Sequence, residues 1–132
     1  MNRLLTALVF VALSYNNAMA KFVNNFEEWQ ERTLELQAQY AMGLFDGQLV
    51  PNETDNNDVA DANGLDACAL KLKLTGTFVA GAITGYYKAH PEVQSRSAMS
   101  VFRNQIEGIL CATYINAERI KFGLEPWPIG GP

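Results

Sequence analysis

Few residues in this chain could carry chemistry. One histidine, His90, two cysteines, Cys68 and Cys111, and a concentration of carboxylates between Asp46 and Asp66 are the groups able to act as nucleophile, base, ligand or charged contact. A Cys-His or Ser-His pair would have to use His90, and His90 precedes Pro91 at a turn between helices, which suits capping or solvent contact better than catalysis. Zinc needs more His and Cys than remain once two cysteines are paired. Opposed carboxylates can do acid and base work, yet Glu27, Glu28, Glu31 and Glu35 fall among polar neighbours on a solvated face. No Gly-rich phosphate loop follows a strand, because no convincing strand pattern is present. The expectation is a binding protein with no catalytic residue, no cofactor and no metal, rather than an enzyme.

The cysteines have a simpler use. An even count in an exported chain reads as a disulfide. Cys68 lies 23 residues before Pro91 and Cys111 lies 20 after it, so a hairpin turning at His90-Pro91 would bring them to nearly the same height. Closing such a loop is worth about 4 kcal/mol in the chain-entropy model. The competing reading, a redox thiol, lacks a second nearby Cys or a basic neighbour to lower its pKa.

From Asp46 to Asp66 the pattern dissolves into Gly, Pro, Asn and Asp, with charges at Glu53, Asp55, Asp58, Asp61 and Asp66, which predicts a surface loop. Asp61-Ala62-Asn63-Gly64 imitates part of an EF-hand, but the first ligand position would be Val59 and the last Leu70, neither able to coordinate calcium. Loops carry binding more often than packed helices, so Glu53, Asp55, Asp58 and Asp61 are the candidate contacts for a basic protein partner; a solubility loop is the alternative. Asn52-Glu53-Thr54 also fits the glycosylation acceptor pattern.

Helices must position these groups. Phe22, Phe26, Trp29, Thr33, Leu36, Tyr40 and Leu44 recur at helical spacing and predict a first helix over about 25–45, opened by Asn25 with Glu28 as a capping pair. Leu65, Ala69, Leu72, Gly76, Val79, Ile83 and Tyr86 predict a second over about 65–89, its Gly76, Gly81 and Gly85 suited to close helix packing. Ala98, Phe102, Ile106, Ile109, Thr113, Ala117 and Ile120 predict a third, running to about Lys121 before Gly123 and a Pro-rich tail. The fold class is therefore all-α, a small disulfide-linked helical bundle with one long acidic loop.

Ahead of the first helix, Arg3, the apolar run Leu4 to Leu13 and Ala18-Met19-Ala20 read as a secretion signal. Ten apolar residues reach only about 15 Å as helix, half a bilayer core, so a membrane anchor fits less well. The expected division is a signal at 1–20, a helical domain at 21–122 and a tail at 123–132. The mature chain would hold nine basic against 14 acidic residues, a balance that excludes nucleic acid as a partner. No membrane association is expected after cleavage, and the location would be periplasmic or secreted.

Two motifs resemble a known family. Tyr40, Gly43 and Asp46 have a Tyr-x-x-Gly-x-x-Asp form, and Tyr86-Tyr87-Lys88-Ala89-His90-Pro91-Glu92, followed by Ala98 and Cys111, is similar to the ending of the Rap/Tai immunity proteins of type VI secretion. Cys68 lies 18 residues before Tyr86, about where that family places the partner of its last cysteine. The resemblance spans roughly residues 38–111. It implies a small secreted helical protein, often a homodimer, that binds and blocks a peptidoglycan amidase toxin. The chain differs in lacking the family's additional Cys pair. The motif residues also read as scaffold: Tyr40 on the buried stripe, Gly43 for close approach, Asp46 as an acceptor where the chain leaves the helix, and His90-Pro91 as the turn. An acid-stress or envelope chaperone of the small one-disulfide type is the alternative, since protonating carboxylates would expose apolar surface.

Overall fold

Asn25 opens the first helix by accepting from Glu28 N–H at 2.9 Å, while the Glu28 carboxylate takes the Asn24 N–H at 2.9 Å. The capping pair is as expected, but the helix it starts is short. The structure, a computed structural model, describes residues 22–128; the secretion signal expected at 1–20 and the end of the tail at 129–132 lie outside the described residues. Within them lie α1 (Phe26–Gln30), α2 (Leu34–Gln48), α3 (Asn56–Leu72) and α4 (Gly76–Ala89). A 3-10 turn (Pro91–Val93), α5 (Ala98–Phe102), a π-helical segment (Arg103–Leu110) and α6 (Ala112–Lys121) complete the fold. The described residues are all-α, with no strand.

Each expected long helix is divided, and the divisions have local causes. Thr33 is extended and its hydroxyl accepts from Leu36 N–H, so the chain stops and restarts there rather than running from 25 to 45. Thr33 thus leaves the buried stripe, and with it go Phe22, 80% exposed, and Leu36, 47% exposed. Lys73 adopts the left-handed conformation at φ 52°, Leu74 N–H returns to the Ala69 carbonyl, and Thr75 caps α4. The expected helix at 65–89 is therefore two helices bent by 106°. Between them they bury Leu65, Val79, Ile83 and Tyr87, while Leu72 faces solvent.

The third helix departs most. Its stripe runs correctly through Ala98, Phe102 and Ile106, then the Cys111 N–H reaches back to the Ile106 carbonyl at 2.7 Å, a five-residue step. That extra residue advances the buried face to Cys111, Ile115 and Arg119, leaving Ile109 and Ile120 more than half exposed and Thr113 and Ala117 at the surface.

The long acidic loop is also shorter than its composition suggests. Asp55 accepts from Asn57 N–H at 2.8 Å and starts α3 at Asn56, so Asp58, Asp61 and Asp66 are helical and only residues 49–55 form the loop. The calcium-like stretch Asp61 to Gly64 is one turn of α3.

Two pairings hold the bundle: α2 against α4 and α3 against α6. Gly76 permits the first, since a Cβ there would lie 2.7 Å from the Ala38 carbonyl oxygen; Gly81, Gly85 and Gly43 meet nothing and make no close approach. Gly64 permits the second, because a Cβ would fall on Ile115 Cα and 2.8 Å from its nitrogen. One turn further along α3, Cys68 bonds Cys111 with Cα atoms 5.5 Å apart. Trp29, fully buried, ties in α1: its ring nitrogen donates to Thr84 at 2.8 Å and its carbonyl accepts from buried Gln37 at 2.8 Å. Among the described residues no single helix is long and apolar enough to cross a membrane.

Gly64→Ala is expected to destabilise by more than the roughly 1–3 kcal/mol of ordinary overpacking, since backbone cannot yield as a side chain does. Gly81→Ala in the open should instead gain up to about 1 kcal/mol of helix propensity. Urea unfolding of both checks this; equal stabilities would refute the close α3–α6 approach. Reducing the disulfide, which closes a separation of 43 residues, should lower stability by about 4 kcal/mol.

Candidate functional site

The end of α2, the loop after it and the inner faces of α3 and the π segment leave a cleft of about 340 Å³ between them. Gly47, Gln48, Val50 and Pro51 form one wall, Asp58, Asp61, Ala62 and Leu65 another, and Arg103, Glu107, Ile115 and Trp127 close it. The sequence pattern does not place Glu107 here. In an unbroken α-helix the residue beside Ile106 would turn away from the core, but the π segment rotates Glu107 and Gly108 inward. The available signal was a lone carboxylate inside the run Ile106-Glu107-Gly108-Ile109-Leu110.

Glu107 is 6% exposed, and its Oε1 is buried with no hydrogen-bond partner. Burial pushes its pKa from the ordinary 4.5 up to about 7, with the Asp61 charge adding to the rise and the Arg103 charge opposing it. A carboxyl that exchanges its proton near neutrality in a cleft can donate a hydrogen bond, accept one, or meet a cation.

Asp61 differs. Burial raises its pKa as well, outweighing Arg119, whose Nη1 donates to it at 2.8 Å. Arg119 is itself buried and held on several sides: Nη2 donates to Asn57, Nε donates to the Glu125 carbonyl at 2.8 Å, and the guanidinium lies over the Trp127 ring at 5.5 Å. Trp127 N–H donates to Asn116 at 2.7 Å, so the tail as far as residue 128 folds back on α6 and forms part of the cleft.

The four candidate partner contacts are thereby divided. Asp58 and Asp61 line the cleft from α3, Glu53 is exposed in the loop, and Asp55 serves as the helix cap, its pKa lowered chiefly by the Asn57 backbone N–H. The motif residues lie elsewhere. Tyr40 accepts from Val23 N–H through its hydroxyl, and Asp46 accepts only through its backbone carbonyl, from Leu49 N–H. Tyr86 stacks on His90 with ring centres 4.3 Å apart, and His90 Nδ1 sits 3.0 Å from the Glu92 carboxylate, beside the turn at Pro91. The backbone N–H of Glu92 and then His90 hold that carboxyl below its usual range. Ala98 is buried, its N–H bonded to the Val23 carbonyl. Among the described residues no three His, Cys, Asp or Glu groups are placed to hold a metal ion.

The buried carboxyl gives stability a definite pH dependence. Between its ordinary 4.5 and about 7 the folded state keeps a proton that the unfolded chain has released, so its contribution is fullest below 4.5 and declines as pH rises to about 7. The decline amounts to about 3 kcal/mol, and Glu107→Gln should remove it. Denaturant midpoints of both proteins across this range check the effect; a variant with the same slope as the parent would refute it.

Comparison with protein-family models, curated proteins and solved structures found no match to the chain, so the cleft is read from its own geometry.

Proposed function

We propose that this chain is an exported binding protein of the Rap/Tai immunity type, without catalytic activity of its own, which masks a peptidoglycan amidase toxin. The observation that carries the reading is the fate of the motif residues. Tyr40, Tyr86, Pro91 and Ala98 make contacts that fix the helices and the turn of one bundle, and Glu92 pairs with His90 at its surface, as a structural family signature would, although Gly43 makes no close approach. The Cys68–Cys111 bond supports export, since it fits an oxidising compartment. The partner surface is the acidic corner where the loop at 49–55 meets the first turns of α3. There Glu53 and Asp58 are exposed and have no evident structural duty, whereas Asp55 caps the helix and Asp61 pairs with Arg119.

A second reading, an acid-stress envelope chaperone, is favoured by one feature: Phe22, Leu34, Val50 and Leu70 are each more than 70% exposed. Such a surface could hold unfolded clients.

Digestion of purified peptidoglycan by any cell-wall amidase that a neighbouring reading frame encodes, with and without equimolar protein, separates these readings. Immunity predicts near-complete inhibition, weakened about tenfold or more when Glu53→Gln and Asp58→Asn are combined, because rim and steering charges are lost. Full digestion in the presence of the protein would overturn it. Protection of an unrelated acid-denatured enzyme at about pH 3 is the outcome the chaperone reading requires.

A further inference from the structure

Glu107 stands out because its neighbours do not satisfy it. Its carboxyl is buried at the cleft with Oε1 unbonded, and a buried acceptor without a donor is costly. The charged groups around it are Asp58 and Asp61 from α3, Arg103 one turn back on its own segment, and Arg119 from α6. The α2 wall contributes only Gly47 and Gln48, which are uncharged. Arg119 directs its three recorded hydrogen bonds to Asp61, Asn57 and the Glu125 carbonyl, and none of its N–H groups reaches Glu107 Oε1. Arg103 is exposed and makes no hydrogen bond or ion pair with Glu107. The cleft therefore holds an acceptor that wants an N–H donor, a second carboxylate at Asp58, and an apolar wall from Leu65 and Ile115.

We propose that this cleft binds an organic cation, a primary ammonium or guanidinium group on a short apolar stem, whose N–H groups are donated to the carboxylates of Glu107 and Asp58. About 340 Å³ accommodates a group of the size of a lysine or arginine side chain. The cation supplies both what the buried oxygen lacks and the charge that favours the ionised carboxyl. A free diamine and a basic side chain from a protein surface present the same chemistry. The site does not depend on the amidase reading: a free cation would fill it even if no toxin partner existed.

Titration calorimetry of the full mature chain with n-butylammonium, putrescine, free arginine and an end-blocked Gly-Arg-Gly peptide tests this. Saturable binding is expected, strengthening about tenfold from about pH 6 to about pH 8 as Glu107 gives up its proton, with proton release visible as a buffer-dependent heat at the lower pH. Glu107→Gln should abolish that pH dependence and weaken binding at least tenfold at the higher pH. Asp58→Asn, at an exposed helical position, should weaken it by a smaller factor and guards against a folding defect in the first variant. Tighter binding of the blocked peptide would assign the cation to a partner's side chain, and tighter binding of putrescine to a small molecule. No saturable binding up to about 10 mM, equal binding by tetramethylammonium, which has no N–H, or unaltered binding in both variants would overturn the proposal.

Discussion

The approach of α3 to α6 is the constraint on which the rest of this fold depends. With no Cβ at Gly64, the two backbones come closer than any other residue type would allow, and the Cys68–Cys111 bond fixes them one turn further along. Two consequences follow. Residues 124–128, which bond to Arg119 and Asn116 on the same helix, are carried against α3, where Arg119 also reaches Asp61 and Asn57. The chain between α5 and α6 must also deliver Cys111 inward at a fixed place, whatever the helical phase beforehand.

That second demand accounts for the π segment. Ala98, Phe102 and Ile106 keep ordinary four-residue spacing, while Cys111, Ile115 and Arg119 keep the same spacing shifted by one. A regular helix through both sets would put one of them on the surface. The five-residue step at Ile106 to Cys111 reconciles them, and the inserted residue turns Glu107 and Gly108 toward the interior. The buried carboxyl is thus a consequence of register.

This geometry explains why some features were legible in the sequence and others were not. The all-α class, the disulfide and the caps at Asn25 and around His90-Pro91 follow from local composition and cysteine parity, and they stand in the structure. The breaks at Thr33 and at Lys73 to Thr75 did not show, because Thr on an apolar stripe looks like a small core residue and because Lys rarely adopts positive φ. The start of α3 was hidden by its Asn and Asp content, a composition that favours loops except where one such residue caps and the rest face solvent. The cleft was least legible of all. Composition places Asp58 and Asp61 in a loop, but Glu107, Arg103, Arg119 and Trp127 meet them only through a π step and a folded-back tail, neither of which has a periodic signature.

The same placement changes what the acidity of the molecule means. Fourteen carboxylates suggest a broad negative field, yet those near the cleft have distinct duties. Asp55 is stabilised in its charged form by helix N–H groups, Asp61 is matched by a buried guanidinium, and Glu107 keeps its proton up to about pH 7 because burial outweighs the pull of Arg103. Of the carboxylates in the loop and the cleft, Glu53 and Asp58 are the fully exposed ones without a structural duty, while Asp55 and Asp61 are half-buried. A partner approaching by charge would be drawn to that exposed pair and would meet Glu107 only after water had been displaced from the cleft. Long-range attraction and close-range proton exchange are thus assigned to carboxylates on different elements of the fold. Their contributions are separable in principle, since salt screens the first while pH governs the second.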